Sequence, residues 1–91
     1  MDEFLVHSCE QVLRFSRVGK WQDLSEERKV QLGFNMGVVA LGLKLSKEEG
    51  FQSLQNAREG LITMSQFRDH LARLISSRGV KLDEEKIARP F

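Results

Sequence analysis

Few side chains in this 91-residue chain are of the types that hold a metal ion: beyond ordinary carboxylates they are His7, Cys9 and His70. A metal site needs such ligands clustered at matching spacing, and the chain has neither a CxxC nor an HxxxH pattern. Nucleophilic catalysis needs a nucleophile, a base and an orienting group brought together, and nothing in the order of residues suggests that assembly. His7 and Cys9 stand two apart, so on a helix they leave on different faces. Cys9 falls among apolar residues and reads as a small core hydrophobe. No glycine-rich loop follows a strand, so no phosphate cradle is expected. The expectation is a non-enzyme with no metal and no cofactor.

Charge and aromatic residues carry the remaining signals. Arg14, Arg17 and Lys20 form one basic cluster, and Arg68, Arg73, Arg78 and Lys81 a second. The second would suit a small DNA-binding transcriptional regulator whose 63–77 helix enters the major groove. Fourteen basic against thirteen acidic residues leave a net charge of only +1, where such proteins carry a basic excess. Trp21, the only tryptophan, and Phe91 are the first candidates for interface anchors, because a few large side chains dominate protein interfaces. The preferred expectation is a protein-binding module: an adaptor, inhibitor, immunity factor or regulatory subunit. DNA binding is the alternative.

Gln55 to Gln66, Gln-Asn-Ala-Arg-Glu-Gly-Leu-Ile-Thr-Met-Ser-Gln, resembles a degenerate EF-hand loop. Gly60 stands at its sixth position, Ile62 at its eighth and Thr63 at its ninth. Its first, third and twelfth positions are Gln55, Ala57 and Gln66, where calcium needs charged or carbonyl oxygens. The resemblance therefore implies a shape without calcium. A plain helix–turn–helix hairpin accounts for the same residues and is the reading preferred.

The element that must organise all of this is the apolar run of residues 30–45. On a helix, Val30, Phe34, Val38, Leu41 and Leu45 share one face, and Leu32, Met36, Val39 and Leu43 lie roughly opposite. Gly33, Gly37 and Ala40 form a third stripe where another backbone could approach. A helix apolar on nearly every side is expected to be buried on nearly every side. The spacing thus predicts a central helix over 25–45, capped by Ser25 and opened by Glu26 and Glu27. Covering it with short neighbours is hard, so a homodimer packed at the glycines is expected. Val30 to Val38 also alternates as a strand would, but the chain offers no adequate partner strands.

Around that helix the chain places others. A first helix runs from Asp2 to about Val18, with Leu5, Cys9, Val12, Leu13 and Ser16 inward, Glu10, Arg14 and Arg17 outward, and Gly19 as a left-handed stop. Gly19 to Leu24 is a connector. Ser46 and Glu49 form a capping box opening a helix to about Arg58, with Phe51 and Leu54 inward. Thr63 and Gln66 form a second box, stapled by Ile62 and Phe67, opening a helix with Phe67, Leu71, Leu74 and Ile75 inward. Gly79 ends it, Asp83 caps a last turn, and residues 89–91 form an extended tail because the residue before Pro90 avoids helix.

The whole reads as one all-α domain over 1–91, a small bundle of about four main helices. At 41% hydrophobic and 30% charged, with one proline, the composition is globular rather than disordered. One cysteine fits a reducing compartment. The acidic opening lacks an export signal, and the apolar run is too short to span a bilayer. A cytoplasmic protein is expected.

Overall fold

A computed structural model of the chain describes residues 2–88. It is all-α: α1 (Glu3–Phe15), α2 (Glu26–Gly42), α3 (Ser53–Arg58), α4 (Met64–Ser77) and α5 (Glu84–Ala88). A 3₁₀ turn at Trp21–Asp23 precedes α2, and a wide π-type turn at Glu48–Gln52 leads into α3. No strand occurs among the described residues, so the alternation of Val30 to Val38 is not used as one. The expected extended tail at 89–91, and Phe91 with it, lie outside the described residues.

The helix starts are local chemistry. Asp2 accepts from the Phe4 N–H at 2.9 Å, and Ser25 accepts from the Arg28 N–H at 3.1 Å. Both capping boxes form in full. Ser46 Oγ accepts from the Glu49 N–H while Glu49 accepts from the Ser46 N–H, and Thr63 and Gln66 do the same. Each box satisfies two of the amide groups that a helix start leaves without partners.

The helix ends are also local, with two departures from expectation. Gly60 (φ +77°) and Gly79 (φ +80°) supply left-handed residues after α3 and α4. The following N–H groups of Leu61 and Val80 then bond back to Asn56 and Ile75 carbonyls. α2 ends by the same device at Gly42, short of Leu45, with Lys44 (φ +56°) in the glycine position and Leu45 N–H on the Ala40 carbonyl. α1 stops at Phe15 rather than near Val18. There the Ser16 hydroxyl donates back to the Leu13 carbonyl, and Gly19 is not left-handed.

α1 and α2 pack antiparallel, with Leu5 against Gly42, and the other helices close over them. The core is Cys9, Val12 and Leu13 from α1, Leu32, Met36 and Val39 from α2, and Met64, Phe67, Leu71 and Ile75 from α4. Leu54 and Ala57 complete it from α3. Glu10, expected outside, is 9% exposed because α5 lies along α1. Phe51, expected inside, is 46% exposed. The π-type turn puts Gly50 against α2 instead, where a Cβ would lie 3.4 Å from both Ala40 and Met36, and Phe51 is carried outward.

α2 is the middle of this arrangement, but it is not buried all round. Leu32, Met36, Val39, Ala40 and Leu43 are sealed. Val30, Phe34 and Leu41 are 72%, 65% and 83% exposed. The neighbours reach one side of the helix and leave the other to solvent.

Candidate protein-binding face

Val30, Phe34, Gly37 and Leu41 follow one another at steps of four, three and four along α2. That is the spacing of a helical seam made to meet another helix. α1 and the core pack against the opposite side of their helix. Gly37 sits in the middle, and a Cβ there would meet nothing within 4 Å. An apolar patch of this kind makes the face a candidate interaction site.

The face continues sideways into a groove. Gly33, Lys47, Phe51, Gln52, Leu54, Gln55 and Arg58 line a cavity of about 610 Å³ between α2 and the 48–58 segment. Arg58 closes its far side, with its guanidinium 4.8 Å over the Trp21 ring and near Gly33. Lys47 and Arg58 put positive charge in the groove, and the stripe itself meets charge at its two ends. Glu27 is exposed at the start of α2, where it accepts from Gln31 Nε2, and Lys44 is exposed just beyond the other end.

The three small residues of the expected close-packing stripe are thereby separated. Gly37 is open, whereas Gly33 lies beside Arg58, and Ala40 is sealed against Gly50. Trp21 is half-buried on its 3₁₀ turn under Arg58, and it lines a second cavity with Gly60 to Met64.

The basic residues divide in the same way. Arg78 Nε donates to the Leu43 carbonyl at the end of α2, and its Nη2 pairs with Glu49 at 3.1 Å. Arg68 Nη1 donates to the Ser16 carbonyl at the end of α1. Both arginines therefore close helix ends, where unpaired carbonyls collect negative charge. Arg73 and Lys81 are exposed.

The chemically active types do not assemble. Burial, with the Glu10 charge beside it, pushes the Cys9 thiol up to about 11, so it stays protonated and inert at neutral pH. His7 shares a hydrogen bond with Gln11 on the exposed side of α1. Among the described residues no three His, Cys, Asp or Glu side chains gather to hold a metal ion, and the residues of the calcium-loop resemblance begin inside α3. No described helix is long and apolar enough to cross a membrane.

The described residues form a small all-α fold with an open apolar surface. No family model matches the chain, and comparison with curated proteins and with solved structures gives no significant match.

Proposed function

We propose that this chain is a non-catalytic protein-binding module, of the adaptor, inhibitor, immunity-factor or regulatory-subunit kind, whose working surface is the exposed face of α2. One observation carries the reading. Val30, Phe34 and Leu41 are apolar, largely exposed and in line on a helix whose other side is packed into the core. Exposing three large apolar side chains in one stripe has no benefit to an isolated fold, because each costs free energy in water until something covers it. Protein rather than nucleic acid suits the stripe, since Val30, Phe34, Gly37 and Leu41 are themselves uncharged and the cations lie beside them. Of the basic residues that DNA binding through α4 would use, Arg68 and Arg78 are engaged on the carbonyls that end α1 and α2, which leaves Arg73 and Lys81.

The test is comparative co-purification from the native cell, using a tagged chain and counting a second copy among its partners. Phe34→Glu should strip the partners while leaving the helical circular-dichroism signal unchanged. Arg73→Ala with Lys81→Ala should retain them. Partners that survive Phe34→Glu and are lost with the basic pair would overturn the reading.

A further inference from the structure

We infer that the partner received by this face is a second copy of the chain, with the two α2 helices lying antiparallel about a two-fold axis; this rests on the α2 face being the working surface. The argument is self-complementarity. In a two-fold pair the same patch serves both sides, so each residue must be matched by the residue opposite it in the same patch. In an antiparallel crossing centred between Phe34 and Gly37, Phe34 shares a layer with the partner's Gly37. Val30 then shares a layer with the partner's Leu41. The largest side chain in the seam falls beside the one position with no side chain, where open space is found.

The parallel arrangement fails on both volume and charge. It would set Phe34 beside the partner's Phe34 and Gly37 beside the partner's Gly37, crowding one layer and emptying the next. Close-packed interiors tolerate neither. It would also bring Glu27 to the partner's Glu27 and Lys44 to the partner's Lys44. The antiparallel register instead brings the Glu27 end of each helix to the Lys44 end of its partner. Volume and charge thus select the same orientation independently.

The area is adequate. With fully exposed side chains of roughly 150–200 Å² each, Val30, Phe34 and Leu41 leave about 400 Å² uncovered per copy. Two copies therefore bring about 800 Å² from these residues alone. Val38 and Phe51 on the flanks carry the total to the ~1,000 Å² that a specific interface requires.

The experiment is sedimentation of the full chain near ~100 μM, followed by oxidation of a Val30→Cys/Leu41→Cys variant. Those two positions lie roughly 16 Å apart on one helix, too far to bond within a chain, but they face each other across the antiparallel pair. Native Cys9 is sealed in the core and does not compete. The expected results are a dimer, and a covalent dimer linked between positions 30 and 41. Glu27→Lys should weaken association several-fold, and adding Lys44→Glu should restore it. A dimer in which positions 30 and 41 never cross-link would overturn the arrangement. A monomer throughout would overturn the second copy as occupant. If that monomer still loses a different protein on Phe34→Glu, the binding-face reading stands and only the identity of the partner changes.

Discussion

The two apolar faces of α2 resemble each other in composition and differ in fate. Leu32, Met36, Val39 and Leu43 are sealed, whereas Val30, Phe34 and Leu41, on the same helix and of the same residue types, face solvent. The hydrophobic effect acts on area and not on identity, so nothing intrinsic to Phe34 keeps it outside and nothing intrinsic to Met36 keeps it inside. Geometry decides. α1 and the Gly50 turn close on one side of the helix, and among the described residues no element covers the other. The difference teaches that apolar residues on two sides of a helix call for two covers, and that the described fold supplies one.

The largest test of this contrast is to truncate one residue from each face. Met36→Ala should lower unfolding stability by about 2–5 kcal/mol through lost burial and a cavity. Phe34→Ala should change it by no more than about 0.5 kcal/mol in dilute solution, because an exposed side chain has little packing to lose. Urea denaturation at sub-micromolar concentration reads both. Similar costs at the two sites would erase the distinction between the faces.

Glycines on the two sides of α2 sharpen it at a smaller scale. Gly37→Ala places a methyl in open space and removes a poor helix former, so thermal stability of the dilute chain should rise, by roughly 0.5–1 kcal/mol. Gly42→Ala should lose that gain or reverse it, since a Cβ there would lie 2.5 Å from Leu5 Cδ1 and 3.2 Å from its Cγ. Equal stabilisation by both would mean that α1 does not press on the end of α2.

The smallest effect lies where the sealed face of α2 ends. The Glu49 carboxyl is held below its ordinary range, first by the Ser46 N–H and then by the Arg78 guanidinium. A carboxylate with a lowered folded-state pKa stabilises the fold above the ordinary carboxylate range, and it loses that contribution as pH falls through the lowered value. Glu49→Gln should therefore flatten the acid side of the stability–pH profile, measured by thermal melts between pH 3 and 6 at fixed ionic strength. An unchanged acid limb would mean that the Glu49 contacts are not held in solution.

The exposed face of α2 is half legible in the order of residues. Spacing alone places Val30, Phe34 and Leu41 together on one side of a helix, with Leu32, Met36 and Val39 opposite. That the first group is left uncovered does not follow from spacing, because periodicity shows that a face is apolar and not what lies against it. Phe51 departs from its expected place for a related reason. A regular 3.6-residue helix from Ser46 puts it beside Leu54, and the wider π-type turn rotates it out while seating Gly50 on Ala40 and Met36. Glu10 looks like a surface residue on the α1 pattern, and only the docking of α5 covers it.

By itself the sequence determined what is decided within a few residues. Asp2, Ser25, Ser46 and Thr63 start their segments, and Gly60 and Gly79 stop theirs. The helices between are written as apolar steps of three and four, because caps, left-handed turns and helical phase are local interactions. Tertiary structure alone decided which cations are engaged and which apolar face is covered. Arg68 and Arg78 find their acceptors 52 and 35 residues away, at Ser16 and Leu43. Those partners, like the neighbours that bury Met36 and leave Phe34 in water, exist only once distant segments have packed.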